Sequence, residues 1–112
     1  MWYIFPQIAG LGHSDMARRY AIQNEQEASA YLHHPILGER LKVCTGLVNE
    51  IQGRSARAIF GSIDEMKFRS CMTLFDYTER DGGLFDVALS KYFDGKRDQT
   101  TIDLLDKALT YR

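Results

Sequence analysis

One segment of the chain limits the possible folds more than any other, because residues 35–52 carry an apolar residue at every third or fourth position. Leu37, Leu41, Cys44, Val48 and Ile51 follow one another at steps of four, three, four and three. This spacing places all five on one face of an α-helix, and charged and amide residues occupy much of the other side. The pattern therefore predicts an amphipathic helix that packs its apolar face against a core.

A second helical segment, residues 63–79, is apolar around nearly its whole circumference. A helix of this kind is buried on most sides, so we expect it to be the central helix of the fold. Ser62 and Glu65 have the spacing of a capping box and predict its start. The apolar residues of the segment are Ile63, Met66, Phe68, Cys71, Met72, Leu74, Phe75 and Tyr77.

The remaining segments also have helical patterns bounded by capping residues. Asn24, with Glu27 three residues later, predicts the start of a helix over 25–33, and Ser55 predicts a short helical turn that Gly61 stops. A helix over 84–93 is ended by Gly95, the last helix is capped by Asp98 or Thr100, and residues 14–20 form another helical turn. Residues 2–5 are the only extended segment, and one strand has no partner. We therefore predict an all-α, multihelical single domain over residues 1–112, with about six helices.

The composition excludes several classes of protein. With 112 residues, 45% hydrophobic and 12% aromatic, the chain has the make-up of one folded domain rather than of a disordered segment. A net charge of −1 argues against a nucleic-acid-binding surface, and no apolar run is long enough to span a membrane. The two cysteines lie inside predicted helices, which indicates reduced thiols and a cytoplasmic protein. Three histidines without a ligand spacing predict no metal and no cofactor.

Four blocks of sequence stand out by their order and spacing. They are residues 2–7, 10–14 and 17–22; residues 34–44; residues 59–61 and 64–75; and residues 93–101. In these blocks the chain is similar to the bacterial family called domain of unknown function 1810, over essentially its whole length. The resemblance implies a multihelical fold and no established activity. Members are often mislabelled calpastatin, a disordered inhibitor whose composition this chain does not share.

The start of the chain leads to a prediction about assembly. Family members usually carry another helical segment before the block at residues 2–7, and this chain begins on that block. We expect the missing helix to leave apolar surface around Trp2, Ile4 and Phe5, which a second copy would cover in a homodimer.

Lys67 is the most informative charged residue, because it lies in the most apolar helix. A partly buried lysine can hold an anionic ligand or act as a base with a perturbed pKa. The alternative is a lysine whose stem follows the core and whose ammonium pairs with Asp64, three residues earlier. Structural ion pairs are the more common of the two, so the alternative is favoured.

Two further segments have a functional and a structural interpretation. The glycine-containing loop at residues 7–14 could hold a phosphate on its backbone N–H groups, or it is a turn in which Ser14 caps a helix. His34 could bind a ligand or serve as an acid or base, and Arg40 could contact a phosphate. The structural alternative for His34 is a local hydrogen bond, and that for Arg40 is a surface salt bridge.

Cys44 and Cys71 lie on apolar faces and are expected to be inert core thiols rather than nucleophiles.

The polar and aromatic residues of the family-like blocks define the predicted site. If they converge, they form a cleft with both charge signs that suits a small anionic, nucleotide-like or ADP-ribose-like metabolite, which the protein binds or hydrolyses. The order of the helices also loosely resembles helical ADP-ribose-processing glycosidases. The alternative is a non-catalytic interaction or structural domain that meets a partner through its N-terminal aromatic block. The predicted ligand-binding residues are Trp2, Gln7, Gly12, Ser14, Tyr20, His34, Arg40, Asp64, Lys67 and Thr73.

Overall fold

The computed structural model describes residues 4–11, 15–79 and 83–110. These ranges contain seven α-helices and one isolated parallel bridge between Ile8 and Ile22. The predicted all-α fold is confirmed. The helices are α1 (Asp15–Tyr20), α2 (Glu25–His33), α3 (Leu37–Glu50), α4 (Ala56–Phe60), α5 (Ser62–Thr78), α6 (Leu84–Phe93) and α7 (Gln99–Thr110).

Helix α5 is the central helix, as its apolar circumference predicts. It packs against α2, α4, α6 and α7, and all its residues from Ser70 to Asp76 are buried. The prediction is wrong for Ile63 and Met66, which are 71% and 69% exposed, because no described helix covers that side of α5. The predicted cap is also wrong. Gly61, with a φ of +86°, both ends α4 and precedes α5, so Ser62 is already helical and forms no capping hydrogen bond.

Helices α2 and α3 pack against each other around a short connection. The side chain of Asn24 accepts a hydrogen bond from the backbone N–H of Glu27 at 2.9 Å, which confirms the predicted cap. Helix α3 begins at Leu37 rather than at Pro35. Gly38 makes the close approach possible, since a Cβ at this position would lie 2.0 Å from the carbonyl oxygen of Leu32.

The N-terminal segment belongs to the core. Phe5 is buried, and its ring meets those of Phe60 and Phe68 edge to face, with centroids 6.1 and 5.2 Å away. Ile4 is partly buried against the same core, whereas Trp2 lies outside the described residues. The apolar surface expected around Phe5 is therefore already covered by helices of the same chain.

Helices α6 and α7 are joined by a short loop that turns the chain back across α5. Asp94 ends α6 in the left-handed conformation, and Gly95 follows it with a φ of +75°. The carboxylate of Asp98 accepts from the backbone N–H of Thr101 at 3.2 Å and from its hydroxyl at 2.5 Å. Asp98, rather than Thr100, therefore caps α7.

Candidate functional site

A cavity of about 620 Å³ opens between α5, α6 and α7. Polar groups from three helices and one loop converge on it, which is the usual arrangement of a small-molecule site. The lining residues are Thr73, Asp76 and Tyr77 from α5, Asp86 from α6, Arg97 from the connecting loop, and Ile102 and Asp106 from α7.

Helical spacing explains why α5 presents its polar side chains to this cavity. Thr73, Asp76 and Tyr77 are three and four residues apart and thus share one face. Thr73 and Asp76 are buried although they are polar, because their partners come from the loop after α6. The opposite faces of α5 carry apolar residues into the core.

Arg97 joins two of the carboxylates at the cavity. Its Nε donates to Asp76 Oδ2 at 2.9 Å, and its Nη2 donates to Asp86 Oδ1 at 2.8 Å. The third nitrogen, Nη1, donates to the carbonyl oxygen of Gly95 at 3.0 Å. The hydrogen bonds to Asp76 and Asp86 raise the pKa of the guanidinium. All three nitrogens of Arg97 are therefore engaged within the protein.

The loop that carries Arg97 is held on α5 by several hydrogen bonds. Arg69 donates to the carbonyl oxygens of Lys96 and Arg97, both at 2.8 Å. The backbone N–H of Asp98 donates to the hydroxyl of Thr73 at 2.9 Å, and that hydroxyl donates to the carbonyl of Arg69 at 2.8 Å. One wall of the cavity is thus fixed in place before any ligand binds.

The opposite wall combines an aromatic ring with a carboxylate. The hydroxyl of Tyr77 donates to Asp106 Oδ1 at 2.7 Å and links α5 to α7. Ile102, one turn before Asp106, adds apolar surface. A ligand in the cavity would therefore meet an apolar surface beside hydrogen-bond acceptors.

Among the described residues that line the cavity, three carboxylates face one guanidinium, an excess of two negative charges. Since like charges repel more strongly where water is excluded, this lining disfavours an anion and favours a cation or a group that donates hydrogen bonds. A carboxylate can accept about four hydrogen bonds, and Arg97 contacts one oxygen of Asp76 and one of Asp86, so these two groups keep acceptor capacity.

Only one residue of the predicted site lines the cavity, namely Thr73. Lys67 lies elsewhere on α5, with its ammonium 3.8 Å from Asp64 Oδ1, as the structural alternative predicted. Trp2, Gly12 and Ser14 lie outside the described residues.

His34 and Arg40 have local partners. Nδ1 of His34 accepts from the backbone N–H groups of Ile36 and Leu37 at 3.1 and 3.0 Å, so this side chain caps the start of α3. Arg40 bonds to Tyr31, whose pKa is raised because burial outweighs the opposing effect of this hydrogen bond. The contact of His34 matches its structural alternative, whereas the contact of Arg40 is with a tyrosine and not with the surface acid that its structural alternative named.

Gln7 and Tyr20 lie near the N-terminal segment, away from the large cavity. The carbonyl of Gln7 accepts from the backbone N–H of Ile22 at 2.8 Å, and the residue lines a second cavity of about 120 Å³ together with Arg18. Tyr20 is partly buried, with the guanidinium of Arg19 at 5.8 Å from the centre of its ring. This smaller cavity has no carboxylate in its lining.

The cysteines are free thiols, and Cys71 is fully buried. Burial raises the pKa of the Cys71 thiol well above its usual value, so this side chain is an inert part of the core, as expected. Among the described residues no group of histidine, cysteine, aspartate and glutamate could hold a metal ion. No helix in the same ranges is long and apolar enough to cross a membrane.

Asp76, Asp86, Arg97 and Asp106 were not predicted as site residues. Asp76 does carry a sequence signal, since it is the one charged residue in the buried run from Ser70 to Asp76. Its partner Arg97 lies 21 residues further along the chain and is found only from the fold.

Two comparisons relate the chain to known proteins. The sequence model of a family described as "Protein of unknown function (DUF1810)" matches residues 1–105. The crystal structure of a conserved hypothetical protein from Mycobacterium tuberculosis is 48% identical and superimposes with a TM-score of 0.91, covering 94% of this chain and 75% of that chain. No curated protein matches the sequence.

Proposed function

The chain belongs to the DUF1810 family, whose function is unknown, and from this premise we propose that it is a small-molecule-binding protein. The ligand would occupy the cavity between α5, α6 and α7. The observation that carries the proposal is the convergence of three carboxylates, one arginine and one tyrosine on a single cavity of about 620 Å³. A purely structural network would fill such a space with side chains, because protein interiors are close-packed.

The lining favours ligands that donate hydrogen bonds. Hydroxyl and amino groups can donate to Asp76, Asp86 and Asp106, and a ring or alkyl chain can pack on Tyr77 and Ile102. Part of an ADP-ribose-like ligand would suit this lining, since its ribose hydroxyls are donors. Its phosphates would meet only Arg97, whose nitrogens already bind Asp76, Asp86 and Gly95.

Hydrolysis of the bound ligand is the finer form of this proposal. A carboxylate beside the ligand can accept a proton from water and so act as a general base. Among the cavity residues, Asp86 and Asp106 are the groups we propose for this role. Product formation from nucleosides and ADP-ribose, lost in Asp86→Asn or Asp106→Asn, would support it.

The direct test is a thermal-shift screen with nucleosides, ADP-ribose, sugars and small amines. A ligand at one hundred times its dissociation constant stabilises the folded state by about 2.7 kcal/mol. In a domain of this size that corresponds to roughly 10–20 °C in the melting temperature. We expect the shift to fall in Asp106→Asn, whose amide oxygen can still accept from Tyr77.

Asp103→Asn is the matched control on the same helix. Asp103 is exposed, is not among the residues that line the cavity and accepts from Gln99 at 2.9 Å, so the variant loses the same charge away from the ligand. A shift that is equal in both variants would place the ligand elsewhere. A shift lost only in Lys67→Ala would favour the predicted anion site at Lys67 instead.

The second candidate function is that of an interaction domain, and an exposed apolar stripe on α3 favours it. Ile36, Val43 and Leu47 are 67%, 50% and 59% exposed and lie seven and four residues apart, on one side of the helix. A homodimer is the simplest assembly of this kind. Sedimentation of the wild type as a dimer and of Leu47→Glu as a monomer would support it.

A further inference from the structure

The charge balance of the cavity limits the class of ligand more closely than its size does. Asp76, Asp86 and Asp106 face one guanidinium across a space that includes Tyr77 and Ile102. Building on the proposed function, we infer that the ligand is a small organic amine whose ammonium group binds these carboxylates and whose carbon chain packs on the apolar wall.

The state of Arg97 is the first reason for this inference. An anionic ligand is usually held by an arginine that offers free N–H groups in a fork. Here the fork already points at Asp76 and Asp86, and Nη1 binds the carbonyl of Gly95. Three of the five N–H groups are thus taken, and an anion at the other two would lie beside the negative charges of Asp76 and Asp86.

The remaining acceptors are the second reason. Arg97 contacts one oxygen of Asp76 and one of Asp86, so each carboxylate keeps acceptor capacity. An ammonium group has three donors and no acceptor, which matches a lining whose carboxylates only accept. A hydroxyl group also has lone pairs that accept hydrogen bonds, and the carboxylates of this lining offer no donors to them.

The apolar wall is the third and independent reason. Ile102 and the ring of Tyr77 line the same space as the carboxylates. An aromatic face attracts a cation, and an aliphatic chain is stabilised by leaving water. An inorganic cation has no carbon chain to pack on Ile102, and the described residues form no cluster suited to a metal ion.

The inference is tested with a matched pair of probes, 1,4-diaminobutane and 1,4-butanediol, in isothermal titration with the full chain. The two compounds have the same carbon chain. The diamine ends in charged ammonium groups and the diol in neutral hydroxyl groups. We expect the diamine to bind and the diol to bind at least tenfold more weakly, because hydrogen bonds between charged groups are the stronger ones. Raising the salt concentration should weaken binding of the diamine.

Asp106→Asn and Asp103→Asn separate the site from general attraction. Binding of the diamine should fall about tenfold or more in Asp106→Asn and stay unchanged in Asp103→Asn. An equal fall in both variants would mean non-specific attraction and would overturn the inference.

The outcomes distinguish this inference from the proposed function on which it rests. If the diol, a sugar or a nucleoside binds in an Asp106-dependent way and no amine does, the ligand is neutral and the proposed function stands without the inference. If neither probe nor any compound of the wider screen binds, both fail. Circular dichroism of each variant confirms that a loss of binding is not a loss of fold.

Discussion

Asp76 illustrates how single residues control this molecule. Its carboxylate is buried on the central helix, where an unpaired charge would be strongly unfavourable. Arg97, 21 residues later, offsets this cost with a hydrogen bond of 2.9 Å to Asp76. The same guanidinium also donates to Asp86. Breaking such a pair costs more than its net contribution, because the remaining charge stays buried. The same residues therefore hold the loop and set the charge of the cavity.

Cys71 gives a prediction about pH at this scale. Burial raises the pKa of its thiol well above the usual value of 9.0. Above pH 9 the unfolded chain loses this proton while the folded chain keeps it, so stability falls as the pH rises. We expect the free energy of unfolding, measured with urea, to fall by about 1 kcal/mol between pH 9 and 10 from this group.

Two variants isolate the contribution of Cys71. The decline should become shallower in Cys71→Ala, which is less stable overall but has no thiol to ionise. It should persist in Cys44→Ala, because Cys44 lies only partly buried on α3. Equal slopes in wild type and Cys71→Ala would contradict the prediction. Tyr31 and Tyr92, whose pKa values are also raised, add a decline of the same sign above pH 10.

The site could be predicted from the sequence only in small part, for a reason visible in Lys67 and Asp76. Both are charged residues of α5, and the sequence singled out Lys67 because it lies among apolar neighbours. Lys67 pairs with Asp64 three residues away, a contact that the spacing already indicated. The partner of Asp76 is Arg97 in the loop after α6, which in turn binds Asp86 of α6, and no local pattern identifies either contact.

At the scale of the elements, α6 completes the end of α3. The last carbonyls of a helix lack partners within it and need donors from elsewhere. The ammonium of Lys91 donates to the carbonyls of Asn49 and Ile51, both at 2.5 Å, and the hydroxyl of Tyr92 donates to that of Val48. Two neighbouring residues of one helix thus stabilise the end of another.

Replacing Lys91 by methionine should test this contact. The variant keeps much of the side-chain length but leaves two carbonyls without their donor, so we expect a loss of about 1 kcal/mol in the free energy of unfolding. Lys42→Met, at an exposed position of α3, removes one positive charge without such a contact, so its free energy of unfolding should change little. A similar loss in both variants, measured by urea denaturation, would assign the effect to net charge instead.

The elements themselves were largely predictable, because most of their signals are local. Asn24 caps α2 through a residue three positions away, and the bounds of α2 and α6 agree with their capping and periodic patterns. The errors arise where two helices compete for one residue. Ser62 has the sequence of a cap, but Gly61 already joins α4 to α5 without an intervening residue.

At the scale of the whole molecule, one aromatic cluster joins segments that are distant in sequence. Phe68 on α5 stacks on Phe60 at 4.6 Å and meets Phe5 edge to face at 5.2 Å. On its other side it contacts Tyr92 and Phe93 at 6.4 and 6.3 Å. The N-terminal segment, α4, α5 and α6 therefore share one core, and we expect them to unfold together.

Phe68→Ala tests this shared core against a control two residues away. Phe68 is fully buried, so its removal should cost about 3–5 kcal/mol. Native domains are stable by only about 5–15 kcal/mol, so a large part of the total would be lost. Met66→Ala, on the exposed side of the same helix, should lower the free energy of unfolding only slightly.

The measurement is a urea titration followed by both tryptophan fluorescence and circular dichroism. The midpoint of Phe68→Ala should fall, and the two signals should still change together. If fluorescence from the N-terminal segment changed before the helical signal, that segment would unfold independently and the cluster would not couple it to the rest.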